Sequence, residues 1–154
     1  TPQPFTSLGD ISFSLDNRGC LVIHAPHFSQ KKIVTNDIVN LLSPTEFFWC
    51  GRIDNVINTG GLKVFPEEIE PIIGEVITNV RFFVTSQPSE KWGEELVLAL
   101  EYTTMQDDEQ KTGEIRPDFI EKLRLKLPSH AIPRKYIAVK HFKETTTGKI
   151  IREL

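Results

Sequence analysis

Two adjacent glycines, Gly60-Gly61, interrupt a short apolar alternation that restarts as Leu62-Lys63-Val64, and Pro66 follows close behind. A glycine pair suits a sharp backbone turn or the close approach of a ligand. Pro66 then suits a first helical position, where its missing N–H has no partner to lose, and Glu67 and Glu68 favour the positive end of a helix. The local reading is therefore strand, tight turn, strand and helix start, with a plain β turn as the bland alternative. Arg52 and Asp54 precede this stretch, and a second Gly-Lys loop, Thr145-Thr-Thr-Gly-Lys149, lies in the last ten residues.

Taken together, Gly51-Arg52-x-Asp54, six residues, Gly61-x-Lys63-Val64-x-Pro66-x-Glu68-Ile69-Glu70 and the distant Thr145-x-Thr147-Gly148-Lys149-Ile150-x-Arg152 form a paired motif. It resembles the C-terminal domain of adenylate-forming enzymes, the superfamily of acyl-CoA synthetases, peptide-synthetase adenylation domains and luciferases. Within it, Ile33-Val-Thr-Asn-Asp37 and Gly51-Arg-Ile-Asp-Asn-Val-Ile-Asn58 look most like the o-succinylbenzoate:CoA ligases of menaquinone synthesis.

The resemblance implies a division of the chain into residues 1–50, β hairpins ending a larger N-terminal lobe, and residues 51–154, a mobile C-terminal domain. It also implies roles. Asp37, in Thr35-Asn36-Asp37 where the family has Thr-Gly-Asp, would hold the ribose hydroxyls of ATP, since a carboxylate accepts from both at once. Asn36 in place of glycine is tolerable if this position has positive φ. Arg52 would contact ribose or phosphate with its planar fork. Asp54 would be the hinge about which the small domain rotates. Gly60, Gly61 and Lys63 would line the pantetheine channel for CoA, with Gly60 standing where relatives more often have Ser or Thr. Lys149 would be the catalytic lysine of adenylation, which brings the substrate carboxylate to the α-phosphate and offsets charge as pyrophosphate leaves. Lys143 replaces a usual proline near that loop. For Arg52 and Asp54 the alternative is an interdomain salt bridge, which would contribute little to function; for Lys149 it is a solvated lysine.

Residues 1–50 read as two hairpins, Ile11–Leu15 with Cys20–His24 and Ile38–Leu42 with Phe47–Cys50. Thereafter Ile69, Ile72, Ile73 and Val76 form a helical stripe, although Pro71 within it should kink or shorten the helix. Val80–Val84 and Glu95–Glu101 read as strands, joined by a loop whose Trp92-Gly93-Glu94 resembles a family signature; Trp92 is expected in a core. Thr103 to Glu114 reads as a polar loop, Pro117 starts a second helix with Phe119, Ile120, Leu123 and Leu127 on one face, and Tyr136–Val139 is a last strand. The sum is an α+β fold, a small domain with helices packed on a mostly antiparallel sheet.

Bulk properties exclude some functions. Of 154 residues, 39% are hydrophobic and 25% charged, and no apolar run approaches the ~20 residues needed to span a membrane. With no signal-like start, the chain reads as cytoplasmic. A first residue of Thr1 rather than Met, in strand-like sequence, reads as a piece of something longer. Cys20 and Cys50, thirty apart, indicate buried free thiols rather than a zinc site or disulfide framework, and His24-x-x-His27 lacks the neighbours of a metal site, so no metal is expected. Residues 116–154 carry ten Lys and Arg against four Asp and Glu, an asymmetry that fits nucleotide and CoA phosphates better than nucleic acid, there being no interleaved aromatics. A solvated basic helix face accounts equally for Lys122, Arg124 and Lys126.

The expected function belongs to a parent chain. It is an AMP-forming acid:CoA ligase using ATP, Mg2+ and CoA with a small carboxylic acid, its N-terminal lobe being the partner of this domain; the 154 residues alone should be inactive and bind no cofactor tightly. Another acyl- or aryl-CoA synthetase, a peptide-synthetase adenylation domain, and a free-standing anion-binding interaction module are the alternatives.

Overall fold

The computed structural model describes residues 3–102 and 111–152. The chain divides into two compact units, residues 1–56 and 57–154. The division falls after Val56 rather than at Gly51 because Gly51 and Arg52 are still strand residues, paired with Ile38 and Asp37.

The first unit is one antiparallel sheet. Its strands are β1 (Phe5–Thr6), β2 (Ser12–Leu15), β3 (Cys20–His24), β4 (Lys32–Ser43) and β5 (Glu46–Arg52), in the order β1-β5-β4-β3-β2. Both expected hairpins are present, β2 with β3 and β4 with β5. They are not separate, because β4 starts at Lys32, within the segment between them, and pairs with β3 as well. Leu21, Val39 and Phe47 form its small core, with Phe13 edge-on to Phe47. Cys20 is buried as expected, whereas Cys50 is only half-buried, lying next to the exposed Trp49 rather than among core residues.

The second unit is α+β. It comprises β6 (Ile57–Thr59), β7 (Leu62–Val64), α1 (Pro66–Gly74), β8 (Arg81–Ser89), β9 (Gly93–Glu101), β10 (Lys111–Glu114), α2 (Pro117–Arg124) and β11 (Lys135–Val139). Its pairings are antiparallel except for β9 with β11, which are parallel and are joined by a crossover containing α2. Both helices open on the expected prolines, with acids in the first turn, and α2 ends on Lys122 and Arg124, which complement its dipole. Pro71 lies inside α1 without stopping it, and the helix runs on to Gly74.

Strand periodicity sorts the apolar residues onto two faces. Val84 and Leu98 pack with Ile69 and Ile73 of α1 and Leu123 of α2, while Phe83 and Ala99 face the other way and pack with Phe142 and Ile150. Complete burial of Ile73 and Leu123 contributes about 1.5–3 kcal/mol each.

Two further expectations fail. Lys111–Glu114 belongs to strand β10, not to a loop, because β11 offers it a full antiparallel ladder; the rest of that expected loop, 103–110, lies outside the described residues. Trp92 is 48% exposed, not core: it sits in the tight turn between β8 and β9, where Glu94 and Leu96 rather than the ring continue into the sheet. Among the described residues, no helix is long and apolar enough to cross a membrane.

Candidate active site

In the first unit, three of the expected site residues come together. The register of β4 against β5 sets Asp37 directly opposite Arg52, with Arg52 Nη1 4.0 Å from Asp37 Oδ1. Trp49 Nε1 donates to the same carboxylate oxygen at 3.3 Å, and the Asp37 amide donates to Thr35 Oγ1 at 3.1 Å. Arg52 Nη2 also donates to Asp54 Oδ2 at 3.0 Å, just beyond the end of β5. Arg52 thus stands between the expected ribose carboxylate and the expected hinge residue.

Asn36 does something the sequence did not disclose. It lies in extended β4, not at positive φ; among the described residues, Asn79 is the non-glycine position with positive φ. The bulged register of β4, which shifts against β3 and again against β5, supplies the irregularity that a glycine would otherwise provide. Asn36 Nδ2 donates to Asp54 Oδ2 at 3.3 Å while its Oδ1 accepts from Arg18 Nη1 at 3.0 Å. Arg18 also donates to the Thr35 carbonyl and to Asp16. The Arg52 hydrogen bond holds the Asp54 carboxyl below the usual carboxylate range; desolvation opposes it, and the Asn36 hydrogen bond adds a lesser lowering.

In the second unit, Gly60 (φ 57°) and Gly61 (φ 81°) form the two-residue turn between β6 and β7, both in the left-handed region demanded by a type I′ hairpin. Thr59, Asn58 and Ile57 pair with Leu62, Lys63 and Val64, so Lys63 is exposed one residue from the turn. The Gly60 amide donates to the Trp92 carbonyl at 2.9 Å. Glu94 secures the hairpin further: it accepts from the Asn58 amide and from Ser86 Oγ, both at 2.7 Å. A cleft of about 530 Å³ opens beside this turn, lined among others by Thr59, Gly60, Lys91, Trp92, His130 and Arg134.

Lys149 is exposed near the tip of a closed hairpin. The Thr145 amide donates to the Lys149 carbonyl at 2.8 Å, the Lys149 amide to Thr145 Oγ1 at 3.1 Å, and the Ile151 amide to the Lys143 carbonyl at 2.8 Å. Lys143 in place of proline therefore leaves the hairpin closed. Among the described residues, no group of three or more His, Cys, Asp or Glu is placed to hold a metal ion.

No family model matches the chain. It is 32% identical over 120 residues to a 2-succinylbenzoate–CoA ligase of Listeria monocytogenes, an alignment covering 77% of this chain and 24% of that protein. It is 28% identical over 120 residues to a medium/long-chain-fatty-acid–CoA ligase of Mycobacterium tuberculosis, covering 75% of this chain and 20% of that protein. Its fold matches o-succinylbenzoate CoA synthetase from Bacillus subtilis, solved with its acyl-adenylate intermediate, with a TM-score of 0.69 at 16% identity over 93% of this chain and 32% of that one. The chain thus spans a quarter or less of the length of these curated relatives.

The α+β unit, with two α-helices among its described residues, has the fold of the C-terminal domain of adenylate-forming enzymes. The chain belongs to the AMP-forming acyl-CoA ligase superfamily.

Proposed function

We propose that the chain is the C-terminal part of a ligase that activates a carboxylic acid in two steps. In the first, a carboxylate oxygen of the acid attacks the α-phosphorus of Mg-ATP and pyrophosphate departs, leaving acyl-AMP. In the second, the CoA thiol, losing its proton, attacks the acyl carbon and AMP leaves, giving the thioester.

Lys149 is the catalytic residue of the first step. The observation that carries this reading is its exposure on a hydrogen-bonded hairpin, which presents an ammonium group to an incoming carboxylate and phosphate at little ordering cost. Asp37 accepts from the ribose hydroxyls and Arg52 supplies a cation beside them. Asp54, exposed in the 3-10 turn Ile53–Asn55 that joins the units, is the residue about which the domain turns between steps.

Gly60, Gly61 and Lys63 then face the pantetheine of CoA. An added Cβ on Gly61 would meet no protein atom within 4 Å, so the space before it is open to a ligand. Lys91 and Arg134, in the cleft beside the turn, are suited to phosphate.

The acid we assign is o-succinylbenzoate, which would place the enzyme in menaquinone synthesis. This rests on the likeness to the Listeria ligase and on the local similarity of 33–37 and 51–58. A fatty acid is the second reading, favoured by the mycobacterial relative. Acid-dependent pyrophosphate release by the full-length protein, over a panel headed by o-succinylbenzoate and including aryl and fatty acids, tests the assignment. A strong preference for o-succinylbenzoate is expected; preference for another acid replaces the substrate, and no release with any acid overturns the ligase reading. The 154 residues alone should release none.

A further inference from the structure

The Lys149 hairpin is fastened to the body of its unit at both feet by residues that the sequence motif assigns no role. At the C-terminal foot, Arg152 binds Glu70 of α1 through both ends of its guanidinium fork, Nη2 to Oε2 at 2.8 Å and Nη1 to Oε1, and donates again to the Val84 carbonyl of β8 at 3.2 Å. Glu70 in turn accepts from the Val84 amide at 2.7 Å, so one carboxylate holds α1, β8 and the hairpin foot together. The guanidinium also lies 5.8 Å over the Phe83 ring. Burial opposes its charge, but the Glu70 hydrogen bonds and the neighbouring carboxylates outweigh this and keep it firmly protonated.

The N-terminal foot repeats the device. Glu144, which bridges Ile150 across the hairpin, pairs with Arg81 of β8, and Arg81 Nη1 lies 2.9 Å from the buried Glu101. Glu101 also accepts from the Phe142 amide at 3.1 Å. Arg81 sits 6.0 Å over Phe142, as Arg152 sits over Phe83, and the two rings pack at a tilt of 59° with centroids 4.8 Å apart, with Ile150 against them.

We propose that Arg152–Glu70 and Arg81–Glu144 are positioning pairs that set where Lys149 stands, acting on acyl-adenylate formation through that lysine and not on thioester formation. Only Ile150 and Ile151 separate Lys149 from Arg152, so rotation or sliding of that foot is passed directly to the lysine. Displacement of a catalytic group by about 1 Å can cost up to about 100-fold in rate. A bidentate fork fixes direction as well as distance, which a lysine at 152 could not do. This inference rests on the proposed role of Lys149.

The test uses the full-length protein and measures the two half-reactions separately: acid-dependent pyrophosphate release, and CoA thioester formation from synthetic acyl-adenylate. Arg152→Gln, Arg152→Lys and Glu144→Gln are compared with Lys149→Ala, and each is checked for its thermal midpoint. Glu144 is exposed, so its variant folds even if loss of Arg152 does not allow folding. We expect Arg152→Gln to lower kcat for adenylation by 10- to 100-fold, Arg152→Lys to recover part of that, Glu144→Gln to lower it by a smaller factor, and thioester formation to stay within about twofold. Equal loss in both half-reactions, or none in the adenylation step while Lys149→Ala abolishes it, overturns the positioning inference. Full adenylation by Lys149→Ala overturns instead the role of Lys149 on which it rests.

Discussion

Trp92 lies against Gly60: a methyl group built on Gly60 would come within 2.9 Å of Trp92 Cε3. The glycine turn is therefore shaped by the neighbouring β8–β9 turn as well as by its own φ angles. Lys91 completes this surface, its ammonium 4.7 Å from the Trp92 ring centroid.

Gly60→Ala carries two costs, the left-handed backbone and the contact with Trp92. It should destabilise the second unit by about 1–2 kcal/mol from the backbone alone. In chemical denaturation, adding Trp92→Ala should relieve the steric part and leave the backbone part. If the double variant is as stable as Trp92→Ala alone, φ does not matter at this turn.

Lys149→Ala and Gly61→Leu should damage opposite halves of the proposed reaction. The first removes the ammonium that attends the departing pyrophosphate, a loss comparable to one transition-state donor, about 100–1,000-fold in kcat. The second puts a side chain into the open space before the turn and should slow thioester formation while sparing pyrophosphate release. Stopped-flow measurement of each half-reaction decides the point; equal damage by either variant argues against two separate loops serving two steps.

Glu95 gives the second unit an acid sensitivity. Lys135, 2.6 Å away, and the Gln87 amide, at 2.8 Å, hold its carboxyl below the usual glutamate range. Because the folded value is depressed, this stabilisation is present above the unfolded value of about 4.3 and is lost as pH falls through the lower folded value. Thermal midpoints measured downward from neutral pH should fall less steeply in Glu95→Gln than in the unaltered chain, and identical slopes would remove Glu95 as a source.

In the first unit, Asp54 reports on two partners. Arg52→Gln should raise its carboxyl toward the ordinary value, and Asn36→Gly should raise it by less, since Arg52 is the larger cause. An NMR titration of the side-chain carboxyl resolves the two effects, and a larger rise in Asn36→Gly than in Arg52→Gln would reverse the ranking.

What the sequence determined by itself was whatever local chemistry decides. The Gly60-Gly61 turn was legible because only glycine adopts two successive left-handed conformations cheaply, and the starts of α1 and α2 because proline and acids suit a first turn. Alternation placed β2 and apolar runs placed β3, β8 and β9, while Thr35-Asn36-Asp37 pointed to Asp37 and the paired motif to Arg52, Asp54 and Lys149 as candidates. Contacts between distant residues left no such mark. Thr35-Asn36-Asp37 looks like a connector because its polarity belongs to hydrogen bonds with Arg18 and Asp54 across a bulged sheet. Lys111–Glu114 looks like a loop until β11 is set beside it, since strand pairing is a property of the partner as much as of the segment. Glu70 and Arg152, 82 residues apart, stood in the motif without a task. Only the packing of α1 on β8, which brings the Arg152 fork onto a carboxylate already bonded to Val84, gives them one.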